Sequence, residues 1–157
     1  MAGVARRHNR SCARPGRCRA AGSGRLTAPG LFVVDAEGLA AAQVLRVRAG
    51  GEQTVEQVVQ FDSARNRFVA VPIDLGPETD QVYLLLYGTG IRGRQGDVTL
   101  LMGGVEVPVI FAGPQGEFPG LDQVNVLIPR SLFGRGLVDI VLLVDGGNSN
   151  TLRVSVR

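Results

Sequence analysis

Glu117 and Asp122, five residues apart in a Gly/Pro-punctuated loop, are the nearest approach to a carboxylate pair in this chain. Glycoside hydrolysis would set two such groups across a cleft and raise the pKa of one by burial. Here both sit in one loop and nothing in the sequence buries either, so they read as solvated loop acids. Gly88, Gly90 and Gly93 match G-x-G-x-x-G after an apolar run. A dinucleotide site would need a helix to begin there, because a helix N-terminus holds the pyrophosphate. Instead the chain continues with Arg94, Gln95, Gly96 and a strand pattern over 97–102, so the motif reads as a turn between strands.

Residues 145–150 (DGGNSN) have the composition of a calcium loop without the alternating ligands and closing Glu of an EF-hand. A hairpin whose Asx side chains bond their own backbone is expected; a single weakly held calcium with Glu117 or Asp122 is the alternative. His8 is the sole histidine, which leaves the body of the chain without a base for a Ser or Cys nucleophile. Cys12 and Cys18, with His8 nearby, are too few for a zinc site of about four ligands. They admit a disulfide or free thiols and do not report a redox compartment. No cofactor or metal is implied, and the expectation is a non-enzyme.

With no Trp and 5% aromatic residues, sugar-stacking platforms are poorly supplied. Tyr83, Tyr87, Phe111 and Phe118 read as core or loop anchors. Arg92, Arg94, Arg130 and Arg135 fall in turns and could gather at one end of the fold, although scattered solubilising charge is the expected role.

Charge divides the chain. Residues 1–25 hold seven Arg and no acid, a charge of +7, whereas 26–157 carry −4, which together give the net +3. The basic balance therefore belongs to the first 25 residues, which read as a disordered Arg-rich tail. The acidic body opposes phosphate binding, so nucleic acid is not an expected partner. No apolar run reaches the roughly 18 residues of a membrane-spanning helix, and residues 1–20 lack the apolar core of a signal peptide.

The rest is written in strand periods. Residues 39–48 are ambiguous between helix, from the Ala40–Ala42 run, and strand; strand is favoured. Residues 54–61 and 67–74 flank the polar stretch 62–66 as a hairpin. Residues 82–87 are apolar on both faces, as in a central strand. Val98, Leu100 and Met102 lead to Gly103-Gly104, a two-residue link suited to positive φ. The return is expected to place Val105, Val107, Val109 and Phe111 on one face. Val124, Val126 and Ile128, then Val138, Ile140, Leu142 and Val144, and lastly Leu152, Val154 and Val156 repeat the alternation. Turns at intervals of roughly ten residues predict an all-β antiparallel sandwich. It is expected over 76–157, with a small β-rich extension over 26–75 packed on it.

Three segments carry a family resemblance: 82–93 (VYLLLYGTGIRG), 111–130 (FAGPQGEFPGLDQVNVLIPR) and 138–157 (VDIVLLVDGGNSNTLRVSVR). They resemble an uncharacterised domain family at the C-termini of large exported proteins, many from acidobacteria. The order of turns is also similar to the IPT/TIG branch of immunoglobulin-like sandwiches. The resemblance covers most of 28–157 and carries no assigned activity. It implies a secreted or cell-surface location, with the export signal upstream of this sequence. In many members of that family a cysteine pair flanks the turn equivalent to 62–66; here Phe61 and Arg67 stand there, so packing must stabilise it.

The expected function is that of a non-catalytic C-terminal accessory module of an exported protein, for adhesion, spacing or protein–protein contact. A surface-sorting or secretion-recognition domain is the alternative, and an accessory domain of a carbohydrate-processing enzyme the third. Partners would be other domains of the same protein, envelope proteins or polysaccharides, and the oligomeric state is open. The candidate contact loops, 88–97 and 114–122, hold Arg92, Arg94, Glu117, Phe118 and Asp122.

Overall fold

The computed structural model describes residues 27–157; the expectations for residues 1–25, including His8, Cys12 and Cys18, fall outside them. Among the described residues the protein is all-β, an antiparallel sandwich of two sheets with an added two-stranded hairpin and one 3-10 turn at Arg130–Leu132.

A short strand β1 (Gly30–Leu31) precedes β2 (Ala42–Val47), which alternates buried Ala42 and Val44 with half-buried Gln43 and Leu45. This alternation settles the ambiguous 39–48 stretch as strand: period two buries one apolar row, whereas helix would scatter it. A turn returns the chain as β3 (Gln53–Gln57), paired to β2 from Gln43↔Gln57 to Val47↔Gln53. The hairpin β4 (Val59–Asp62) and β5 (Arg67–Ala70) forms a separate two-stranded sheet. Asp62 accepts the N–H groups of Ala64 and Arg65 across its turn. Phe61 and Phe68 are direct cross-strand partners, their rings edge-to-face at 5.4 Å. They pack against each other across the hairpin.

β6 (Gln81–Thr89) is the centre of the first sheet. It pairs with β2 and β1 along one edge and β10 (Asp122–Leu127) along the other. β7 (Val98–Met102) and β8 (Val105–Val107) form the expected hairpin of the second sheet, with Gly103 and Gly104 at φ +59° and +79°. Pro108 then lets the chain change sheets, because it cannot donate to a ladder. β9 (Val109–Pro114) joins the first sheet against β10. There Asn125↔Phe111 is followed by Val126↔Val109, leaving Ile110 as an extra residue. This bulge inverts the side-chain alternation. Val105, Val107, Val109 and Phe111 therefore do not share one face. Val107 is buried, Val105 and Val109 pack at the core's margin, and Phe111 lies exposed.

β11 (Gly136–Val144) is central in the second sheet, between β7 on one side and β12 (Gly147–Asn148) with β13 (Leu152–Val156) on the other. The two sheets close on one core. Leu84, Leu86, Val124 and Val126 meet Leu100, Met102, Ile140, Leu142, Leu152 and Val154 there, all at most 1% exposed. Ala42, Val44, Ile73 and Leu75 belong to the same core, so strands on both sides of residue 76 build the first sheet.

Candidate functional site

Asp122 begins β10 opposite Gly88 and is fully buried. Its Oδ2 accepts the N–H of Ile91 at 2.7 Å and of Arg92 at 3.1 Å, and its Oδ1 accepts Arg92 Nε at 2.5 Å. It is not a solvated loop acid. The strand register carries it inward, and the turn after β6 wraps its carboxylate in donors. The same turn explains the glycine motif. A Cβ on Gly88 would stand 2.3 Å from Gly30 O, and one on Gly90 2.3 Å from Ala28 O. These glycines admit the 28–31 backbone, and no helix follows them.

The four turn arginines are tied to backbone. Arg92 also donates to Leu121 O, Arg94 to Ala112 O and Arg135 to Gly103 O. Arg130 donates to the carbonyls of Gly76, Pro77 and Asp80. They brace loops instead of serving as scattered solubilising charge, and their donors are directed at carbonyls. In the 145–150 turn the Asp145 and Asn150 side chains reach across the fold and do not bond their own backbone as expected. Asn150 accepts from Leu31 N and donates to Leu31 O, standing in for a strand partner to β1. Asp145 accepts from Gln95 N, Gly96 N and Thr27 Oγ1. The bond from Gln95 N is the largest influence holding its carboxyl below the usual Asp range. Among the described residues no three His, Cys, Asp or Glu gather as metal ligands.

Of the five candidate residues, Arg92 and Asp122 form one structural pair and Arg94 braces β9. Glu117 and Phe118 project from the 114–121 loop as exposed groups, without structural bonds of their side chains to the core among the described residues, Phe118 at 63%. That loop is held by Gln115, whose Oε1 accepts the N–H groups of Glu117 and Phe118.

A larger surface accompanies them: the outer face of the first sheet. β2 presents Gln43, Leu45 and Val47 there, and β3 presents Gln53, Val55 and Gln57. β6 adds Gln81, Tyr83, Leu85 and Tyr87, β10 adds Gln123, Asn125 and Leu127, and β9 contributes Phe111 opposite Asn125. None of these residues is charged, in a chain with 20% charged residues. The outer face of the second sheet, by contrast, carries Glu106, Asp139 and Arg153. Tyr83, Tyr87 and Phe111 are thus surface residues and not core anchors. Tyr87 Oη donates to Gln43 Oε1 at 3.0 Å, and Gln123 Nε2 to Asn125 Oδ1 at 2.7 Å.

No family model, curated protein or solved structure matches this chain.

At one end this face deepens into a groove of about 550 Å³. Tyr87 and Gln43 floor it, with Phe32 and Val34 on the β1 side and Gln115, Glu117, Phe118 and Leu121 on the β10 side. Partial burial, and secondarily the Glu117 carboxylate, push the Tyr87 phenol above its ordinary pKa. The groove joins Glu117 and Phe118 to a surface that the turn motifs do not announce. Its only sequence signal is the run of Gln, Asn and Tyr at alternate strand positions.

Proposed function

We propose that this domain is a non-catalytic accessory module of an exported protein, acting at the cell surface or outside it by adhesion, spacing or protein–protein contact. The observation that carries this reading is the uncharged, half-exposed outer face of the first sheet. Interface cores are depleted in charge and enriched in Tyr and Phe, and contiguous apolar surface on a folded domain marks contact sites. A face without a charge over five strands, mixing Leu, Val, Tyr and Phe with Gln and Asn, matches the charge depletion of such a core. A solvated sheet face would alternate Lys, Arg, Glu or Thr outward instead, as the second sheet does in part.

We assign the sandwich to the immunoglobulin-like, IPT/TIG-like kind. Two antiparallel sheets on one core, a chain that changes sheets at Pro108, and turns at 88–93 and 145–150 support that assignment. The non-catalytic reading draws on the site chemistry. The buried carboxylate of Asp122 is saturated with N–H donors, and among the described residues lining the groove the exposed Glu117 has no second acid opposite it.

The test is retention of the full chain on bacterial envelope proteins and polysaccharides, run beside a broad hydrolase and transferase screen. Saturable retention without turnover is expected. Turnover abolished by Glu117→Gln would overturn the non-catalytic reading.

A further inference from the structure

The groove at the end of the first sheet has a lining that selects among ligand chemistries. Phe118 and Phe32 are 63% and 44% exposed, and both line the groove. The remaining polar lining is amide and phenol: Gln43, Gln57 and Gln115, with Tyr87. Gln43 commits its Oε1 to Tyr87, which leaves its amide N–H groups, and both ends of the Gln57 amide, without side-chain partners among the described residues. Among the described residues no Arg lines the groove, and the one charge there is the Glu117 carboxylate. Phosphate, carboxylate and sulfate ligands are therefore disfavoured by the described lining, because no cation in it offsets their charge and Glu117 repels it.

We propose that this groove binds a segment of a neutral polysaccharide, its sugar faces stacked on Phe118 and Phe32 and its hydroxyls bracketed by the amides of Gln43 and Gln57. This rests on the reading of the sheet face as a contact surface and names its ligand class. Each hydroxyl is at once donor and acceptor, and a primary amide offers both in fixed geometry, so amides match hydroxyl pairs without net charge. Aromatic rings cover the apolar C–H face of a pyranose and keep a polar rim wet. The volume of about 550 Å³ falls in the range of roughly 300–1,000 Å³ usual for small-ligand sites. A ligand with no donors or acceptors, such as an alkyl chain, would bury the free amides of Gln43 and Gln57 without partners, which is costly.

The experiment is affinity electrophoresis and titration calorimetry of the full chain. The probes are dextran, galactomannan and xyloglucan, with alginate as an anionic probe and an uncharged Leu/Phe-rich peptide as an apolar one. Binding to at least one neutral polysaccharide is expected. Phe118→Ala should weaken it about tenfold or more, the size of an aromatic anchor. Phe118 is exposed, so thermal melting should be unchanged. Gln57→Ala provides a second variant and should weaken the same binding. Binding to none of the neutral probes, or only to alginate or the peptide, would overturn the proposal, as would binding insensitive to both variants. If envelope-protein retention persists in that case, the contact-surface reading stands and only the ligand class fails; loss of both removes both.

Discussion

The carboxylate of Asp122, wholly out of solvent, holds Arg92 Nε at 2.5 Å and the N–H of Ile91 at 2.7 Å, so a single side chain at the start of β10 fixes the turn that ends β6. Ile91, fully buried beneath that turn, is seated by the same bond. Removing the acid strands buried donors and loosens an apolar plug at once. Asp122→Ala is expected to lower unfolding free energy by about 2–4 kcal/mol, the cost of losing its charge-assisted bonds and leaving the buried Ile91 N–H without an acceptor. Arg92→Ala should cost clearly less, because its side chain is 40% exposed and the backbone donors remain. Urea unfolding of both variants checks the order; an Asp122→Ala domain as stable as the parent contradicts the clamp.

Gly88→Ala would press a methyl group against Gly30 O. The expected outcome is a loss of about 1–3 kcal/mol through overpacking, with β1 displaced first. Amide exchange should quicken at Phe32, whose N–H donates to Tyr87 O, while the β11 amides stay protected. Uniform loss of protection across both sheets would show that β1 is not a separable addition.

The Gly103-Gly104 link carries its own test. Val at both positions must adopt positive φ, and a Cβ on Gly103 would also crowd Leu132 and Val138. Destabilisation of roughly a few kcal/mol is expected in chemical unfolding, and a double variant that melts like the parent would be inconsistent with that turn.

Asp145 makes stability pH-dependent. The bond from Gln95 N, above all, depresses its folded pKa below the usual Asp range. A depressed carboxyl contributes stability that is present above the unfolded pKa and is lost as pH falls through the folded one. Asp74 is lowered in the same sense, first by the N–H of Gly76. The melting temperature should therefore be flat near neutrality and fall as pH drops below about 4. Asp145→Asn should flatten that fall; an unchanged acid slope would show that Asp145 does not contribute to it.

Much of the sandwich was legible because period two is a local signal. Rows such as Val138, Ile140, Leu142 and Val144 name their buried face without reference to any partner strand. Features that depend on contacts distant in sequence were not legible. Phe111 turns outward because of one extra residue, Ile110, a fact visible only in register with Asn125 and Val126. Asp122 is buried because β10 lies opposite Gly88, and its loop composition gave the contrary impression. The uncharged face is assembled from five strands drawn from residues 43–127. Each shows an ordinary Gln, Asn, Tyr or Phe, and only the sheet order makes them neighbours.

Whether the uncharged face makes the contact is decided by a paired charge scan. Val55→Lys with Phe111→Lys places charge at two exposed positions of the first sheet; Leu137→Lys does so on the second. All three sites are exposed enough to spare the fold, which equal melting temperatures would establish. Saturable retention of each full chain is then measured on the same envelope preparation. The first-sheet variant should lose retention about tenfold or more, while Leu137→Lys binds as the parent does. Equal retention by both, or loss confined to Leu137→Lys, would place the contact elsewhere on the molecule and refute the role assigned to the first sheet.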